Sequence, residues 1–141
     1  MLDQSAYHPS KRLAGVRILL LDDNTDCLNA LRVLLEFNGA EVQAVASAED
    51  ARAALDQQRP HVLISDLAMA GEDGFSFLAS VRAGGVDTGR DTPALAFSAM
   101  SPFKAEIRAT EVGFQGFLRK PGDVLRIVPM VMLLLPPALA P

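Results

Sequence analysis

Hydrophobic positions along the chain follow two alternating rhythms: short continuous apolar runs, and longer stretches where apolar residues return every three or four positions. The first run, Val16-Arg17-Ile18-Leu19-Leu20-Leu21, ends abruptly in Asp22-Asp23 and predicts a strand buried on both faces. Asn24 or Thr25 can cap the next segment, where Leu28, Leu31, Leu34 and Leu35 recur at helical spacing until Asn38-Gly39 stops it. The pair then repeats. Glu41 to Ala46 predicts a second strand, Ser47 caps an alanine-rich helix with Ala48, Ala51 and Leu55 on one face, and Pro60 ends the following turn. His61 to Ser65 predicts a third strand that terminates at Asp66. Past a loop containing Gly71 and Gly74, Phe75 to Arg82 is helical, with Phe75, Leu78 and Val81 on one stripe, and Gly84-Gly85 closes it. Ala94 to Ser98 predicts a fourth strand, and Ser101-Pro102 is a cap followed by a favoured first helical residue, in a helix that stops at Gly113. Gly116 to Arg119 predicts a short fifth strand, Lys120-Pro121-Gly122 turns the chain, and Asp123 caps a last, unusually apolar helix ending near Leu135.

Strands that alternate with helices of this length imply an α/β fold: a five-stranded parallel sheet, doubly wound in the flavodoxin-like manner, with helices on both faces. Residues 1–14 read as a flexible leader, 15–135 as a single domain and 136–141 as a short tail. Composition agrees, because 141 residues of which 50% are hydrophobic supply a core for one domain. Cys27 is the sole cysteine, which excludes an internal disulfide framework and a cysteine-based metal site. A net charge of -4 without a basic stripe argues against direct nucleic-acid binding. The start of the chain lacks a secretory pattern, and the apolar stretch from Val124 is broken by Arg126 and Pro129, short of the roughly 20 residues a membrane helix needs. A cytoplasmic protein without a membrane partner is expected.

In a doubly wound sheet, ligands bind beyond the carboxyl ends of the strands, where strand order reverses. The residues that finish the strands here are Asp22 and Asp23, then Asp66, Ser98 and Lys120. Singly, each has an ordinary explanation: a helix cap, a turn residue, a hydroxyl bonded to local backbone, a solvated lysine. Together they converge on one edge, where two carboxylates about 4 Å apart repel by roughly 1 to 4 kcal/mol depending on the local dielectric. A hard divalent cation such as Mg²⁺ offsets that repulsion, Lys120 adds a second positive charge, and the set suits phosphoryl chemistry.

The motifs resemble those of the receiver domain of two-component response regulators, over about residues 15 to 135. The resemblance rests on Ile18-Leu19-Leu20-Leu21-Asp22-Asp23-Asn24, on Asp66 followed by Met69, Gly71, Asp73 and Gly74, on Ala96-Phe97-Ser98-Ala99, and on Gly113 through Pro121. It implies that Asp66 accepts a phosphoryl group from a sensor histidine kinase or a phosphotransfer protein. Asp22, Asp23, Asp66 and the backbone carbonyl of Ala68 would hold Mg²⁺, and Ser98 and Lys120 would bind the phosphoryl oxygens. Phe117 matches the family's switch aromatic, and the Lys120-Pro121 bond is expected to be cis. Ala70 stands where the family commonly has Pro, so a looser loop is expected after Asp66. Neither Ala68 nor Met100 can hydrogen-bond a hydrolytic water through its side chain, which leaves the phosphoryl lifetime open.

Two enzymes or carriers of similar winding fit poorly. A haloacid-dehalogenase-like phosphatase needs a second Asp two residues after its nucleophile, where this chain has Asn24 or Thr25. A flavin carrier needs a Ser/Thr/Gly-rich phosphate loop where this chain has Asp22-Asp23-Asn24. A receiver-like interaction module that no longer turns over phosphoryl groups stays open. The expectation is therefore a signalling module and not an enzyme acting on a separate substrate. Pro136 to Pro141 is too short for a DNA-binding domain, so output is expected through contact, either alone or as part of a larger hybrid kinase. Two contact surfaces suggest themselves. In the fourth helix Ala105, Ala109 and Val112 form the packing stripe, leaving Phe103 and Ile107 as a partner face. The last helix carries more apolar surface than one sheet face covers. Either the leader or the tail from Pro136 folds over the excess or, as the favoured expectation, the chain forms a homodimer or docks on a partner helix through Val128, Met130, Val131, Met132 and Leu134, with a kink or restart at Pro129.

Overall fold

The computed structural model describes residues 12–137 and 139. Strand β1 (Arg17–Leu21) leads to helix α1 (Thr25–Phe37), β2 (Glu41–Val45) to α2 (Ala48–Gln58), and β3 (Val62–Ser65) to α3 (Gly74–Arg82). Strand β4 (Ala94–Ser98) leads to α4 (Pro102–Val112), and β5 (Gly116–Arg119) to α5 (Ile127–Leu134). All strand pairs are parallel, in the order β2-β1-β3-β4-β5. The order reverses between β1 and β3, and the expected doubly wound sheet is what the chain forms.

The continuous apolar runs conceal a period of two. On β1, Ile18 and Leu20 join the core under α1 and α5, together with Leu28, Leu31, Leu35, Ile127 and Val131. Leu19 and Leu21 point the other way, into a core with Ala51, Leu55, Phe77, Leu78 and Ala105 from α2, α3 and α4. Strand β4 divides likewise, Leu95 and Phe97 to one face and Ala94 and Ala96 to the other. Each fully buried Leu contributes roughly 1.5–3 kcal/mol, and both faces are needed to hold the central strands in register.

Two of the four expected caps form, and Asp73 caps α3 without having been singled out in the sequence. Asn24 Oδ1 accepts from the Cys27 amide, Ser47 Oγ from Asp50 and Asp73 Oδ1 from Ser76. Two expected caps are absent: Ser101 makes no side-chain bond to α4, and Asp123 Oδ2 instead accepts from the Arg119 amide at 2.9 Å. The last helix consequently starts later than expected. Val124–Arg126 form one 3-10 turn and α5 begins at Ile127, so Pro129 falls in the first α-turn, where its missing N–H leaves no helical bond unmade. The restart expected at Pro129 thus lies just before it.

A second correction concerns the apolar excess of α5. Val128 and Val131, expected on an association surface, are 5% and 0% exposed and belong to the protein's own core. Met130, Met132 and Leu134 are half-buried, and the exposed apolar side chains of this region are Val124, Leu125 and Leu133. Part of the cover comes from Leu13, within the expected leader yet fully buried in the same cluster, and Leu139 packs against it as well. Leu13 is held by its own backbone, its amide donating to the Asn38 carbonyl at 2.8 Å. The rest of the expected leader, 1–11, and residues 138, 140 and 141 of the expected tail lie outside the described residues.

At the opposite edge of the sheet from the strand ends that carry the aspartates, His61 Nδ1 accepts a hydrogen bond from the Arg17 amide at 2.9 Å. Burial, reinforced by the Arg17 charge and opposed by Glu41, lowers the His61 pKa below its ordinary value. Only the neutral ring accepts that bond, so its stabilisation is complete above the unfolded-state pKa near 6.5 and is lost as pH falls through the lower folded value. In urea unfolding, the wild-type chain should lose about 1 kcal/mol relative to His61→Asn between pH 8 and pH 5, because an amide oxygen accepts at both. Parallel pH curves for the two proteins would refute this.

Candidate functional site

The reversal of strand order opens a crevice at the carboxyl ends of β1 and β3, and the sequence places its acidic residues there. Asp22 and Asp23 follow β1 directly, and Asp66 follows β3, its amide donating to the Leu21 carbonyl at 2.8 Å. Oxygens of Asp22, Asp23 and Asp66 lie within 4.8 Å of one another. Asp22 and Asp66 are buried, at 3% and 8% exposure, while Asp23 is open to solvent.

Each carboxylate is held differently. Asp22 Oδ1 accepts from the Asn24 amide at 2.9 Å, and its Oδ2 accepts from Lys120 Nζ at 2.5 Å. Asp66 Oδ1 accepts from the amide of Leu67 at 2.7 Å and from that of Ala68 at 3.4 Å, while Oδ2 lies 3.3 Å from Lys120 Nζ. Asp23 Oδ2 accepts from the Ala70 amide at 2.8 Å. Lys120 arrives from the end of β5, where its amide donates to the Ser98 carbonyl at 2.9 Å and its peptide bond to Pro121 is cis, as expected. Burial works against the Lys120 ammonium, but the hydrogen bond to Asp22 and the charges of Asp66 and Asp22 outweigh it, and its pKa rises above the ordinary value.

Ser98, at the end of β4, is fully buried, and its hydroxyl receives one long contact of 3.4 Å from the Met100 amide. Phe117 lies two residues before Arg119, the register partner of Ser98; it is half-buried and packs against the core beneath α2, α3 and α4. Ala68, exposed, sits on the loop that follows Asp66. The structure therefore brings Asp22, Asp23, Asp66 and Lys120 together at one edge, with Ser98 at the end of the neighbouring strand and Phe117 one step further away. Phe103 and Ile107 face solvent on α4, at 76% and 52% exposure.

Sequence reading undervalued two features of this site. Gly74 is no ordinary loop glycine: a Cβ there would lie 2.1 Å from the Asp66 carbonyl oxygen and 2.9 Å from Leu67 Cα, so only Gly lets the start of α3 close onto the Asp66 backbone. Secondly, the loop after Asp66 is tied to α2. Arg52 bonds Glu72 in bidentate fashion, a contact between residues 20 apart that no local pattern announces. Cys27 lies near the site, where burial and then Asp22 push its thiol pKa up and leave it a poor nucleophile.

Three carboxylates, two of them buried, against one ammonium leave the pocket with uncompensated negative charge. All donors are hard oxygens, the set that suits Mg²⁺ or Ca²⁺ and not a softer metal. The cluster can thus accommodate a divalent cation.

The sheet thus carries an acidic crevice at its switch point, with a lysine reaching in from β5, the arrangement of a receiver-type module. Residues 18–132 match the family described as the response regulator receiver domain, and the chain belongs to that family. It is 35% identical over 119 residues to an uncharacterized 14.6 kDa protein in the sodA1 3'region of Leptolyngbya boryana, covering 84% of this chain and 89% of that protein. It is 29% identical over 119 residues to the transcriptional regulatory protein PrrA of Mycobacterium tuberculosis, covering 84% of this chain but only 49% of PrrA, so it spans about half of that relative's length. Among solved structures, the Vibrio cholerae chemotaxis protein CheY4 superposes with a TM-score of 0.79 at 26% identity, covering 86% of this chain and 100% of the other. Among the described residues, no helix is long and apolar enough to cross a membrane.

Proposed function

We propose that this receiver domain takes a phosphoryl group onto Asp66 from a phosphohistidine of a sensor kinase or phosphotransfer protein, with Mg²⁺ bound, and signals through contact with partners. The observation that carries this is the convergence of Asp22, Asp23 and Asp66 with Lys120 in one partly buried pocket. An Asp66 carboxylate oxygen bonds to phosphorus as the P–N bond breaks, and the departing imidazole keeps the electron pair and takes a proton from solvent. Leu67 and Ala68 amides fix Asp66 Oδ1, which leaves Oδ2 as the attacking oxygen. Lys120 and Ser98 neutralise and hydrogen-bond the equatorial phosphoryl oxygens. Asp22, Asp23, Asp66 and the Ala68 carbonyl would hold Mg²⁺, which when bound would supply charge neutralisation at the same oxygens.

Acetyl phosphate with Mg²⁺ tests this directly. The chain should gain one alkali-labile, hydroxylamine-labile phosphoryl group, and EDTA should prevent the gain. A chain that stays unmodified by acetyl phosphate and by phosphohistidine donors would instead be a receiver-like interaction module without turnover.

Ser98 responding to the phosphoryl group, with Phe117 turning inward behind it, would alter the surface beside α4. We place a partner face there, on Phe103 and Ile107, whose side chains are largely exposed while Ala105 and Ala109 pack inward. Phe103→Ala with Ile107→Ala should weaken a phosphorylation-dependent partner by about 1–3 kcal/mol; unchanged affinities in both states would remove the surface from consideration. Self-association is confined to what α5 leaves uncovered, Leu133 with the half-buried Met132 and Leu134, and would register as concentration-dependent sedimentation.

A further inference from the structure

The three carboxylates differ in what holds them. Asp22 and Asp66 are fixed by Lys120 and by amides within two residues of themselves. Asp23 is exposed, and among the described residues its carboxylate accepts a single hydrogen bond, from the Ala70 amide on a different loop. The placement of Asp23 is thus tied to that of Ala70.

Ala70 sits near the tip of the loop between β3 and α3, and the ends of that loop are well secured. Asp66 and Leu67 are bonded to β1 and to the loop itself, Gly74 closes onto the Asp66 backbone, and Asp73 caps α3. At the tip, Gly71 takes a left-handed φ of 78°, a conformation L side chains rarely adopt, with no neighbouring atoms to brace it from the side where a Cβ would lie. Besides Ala70's bond to Asp23, the tip's ties among the described residues are those of Glu72. Glu72 Oε1 accepts from Arg52 Nη1 at 2.8 Å, Oε2 accepts from Arg52 Nη2, and Oε2 also receives a long contact from Ser76 Oγ.

Arg52 is unusually well placed for a partly exposed arginine. Its Nη2 also donates to Ser80 Oγ at 2.7 Å, and its guanidinium lies 5.4 Å from the ring centroid of the buried Phe77. Two hydrogen bonds to Glu72, one to α3 and a ring beneath make it a rigid anchor with its own position fixed by α2.

Resting on the reading of the pocket as a Mg²⁺-dependent phosphoacceptor site, we propose that Arg52 is a positioning residue: by clamping Glu72 it sets the loop tip, and the Ala70 amide on that tip holds Asp23 in place beside Asp22 and Asp66. Arg52 touches neither the metal position nor the phosphoryl group. It acts through Glu72, Ala70 and Asp23.

The test is a Mg²⁺ titration of the unphosphorylated chain, followed calorimetrically and by backbone amide shifts. Arg52→Met should raise the Mg²⁺ dissociation constant about fivefold, somewhat less than the 10- to 100-fold typical of groups that bond a ligand directly. Phosphorylation by acetyl phosphate should need correspondingly more Mg²⁺ for half-maximal rate, yet at saturating Mg²⁺ stay within about twofold of wild type. Glu72→Gln, which preserves size, should act in the same direction if Arg52→Met proves hard to fold. Arg52→Glu combined with Glu72→Arg restores the ion pair and should recover most of the affinity. In an Ala70→Pro background, which lacks the amide donor to Asp23, Arg52→Met should have little further effect, a coupling that general destabilisation would not produce. Unchanged Mg²⁺ affinity in Arg52→Met and Glu72→Gln, no recovery on charge exchange, or an undiminished effect in the Ala70→Pro background would each overturn the proposal while leaving the phosphoacceptor reading intact. A wild-type chain that binds no Mg²⁺ would overturn both.

Discussion

Asp66→Asn should reduce phosphoryl uptake from acetyl phosphate to background, because the carboxamide offers no anionic oxygen to attack phosphorus. The same variant should fold at least as well as wild type. Its amide oxygen can still accept the Leu67 and Ala68 hydrogen bonds that Asp66 Oδ1 accepts. It also removes one of three carboxylates that lie within 4.8 Å of each other, relieving repulsion of roughly 1–4 kcal/mol per close pair in the absence of metal. Mass spectrometry of the phosphorylated chain and urea unfolding in EDTA check the two halves. Wild-type phosphate incorporation by Asp66→Asn would move the phosphoacceptor elsewhere; a sharply less stable variant would mean that Asp66 is paired more favourably than its neighbours suggest.

Lys120→Met should destabilise the chain in EDTA by about 3 kcal/mol, the penalty typical of removing one partner from a buried ion pair. Asp22 and Asp66 would be left facing each other at 4% and 9% side-chain exposure, with their shared ammonium gone. Mg²⁺ should then stabilise the variant more than it stabilises wild type, since the metal no longer competes with a lysine already bonded to Asp22. A ligand at ten times its dissociation constant contributes about 1.4 kcal/mol, so tighter binding by the variant appears as a larger shift in urea midpoint at equal Mg²⁺. Phosphorylation should nonetheless slow, because the metal cannot take over the second cationic contact to the phosphoryl oxygens. Equal stability of the two proteins in EDTA would show that the ion pair contributes nothing net.

These expectations and the clamp at Arg52 divide the site into parts of different origin. Asp22, Asp23, Asp66, Ser98 and Lys120 were legible because each ends a strand, and a parallel sheet carries all strand ends to one edge whatever the side chains between them. Fold class, strand positions and the caps at Asn24 and Ser47 were legible for a related reason: they depend on local spacing, such as Leu28, Leu31 and Leu35 on α1 or Asn24 before it. The fifth strand and the stop at Gly113 were equally local.

Tertiary structure decided what local spacing does not encode. Val128 and Val131 look like surplus apolar surface when α5 is read alone, but they belong to one buried cluster with residues as far away in sequence as Leu13, about 115 residues earlier, and with Leu20 and Leu35. Asp123 has the residue type of a helix cap, yet the turn after cis-Pro121 presents it to the Arg119 amide, and α5 starts four residues later, at Ile127. The loop after Asp66 was expected to be loose because Ala70 replaces a stiffer residue. Instead Ala70's free N–H bonds Asp23, and Arg52, from the preceding helix, holds Glu72 beside it. Periodicity determines which residues face inward from each element; which of those faces meet, and which polar side chains reach one another across loops, is fixed only when the helices settle on the sheet.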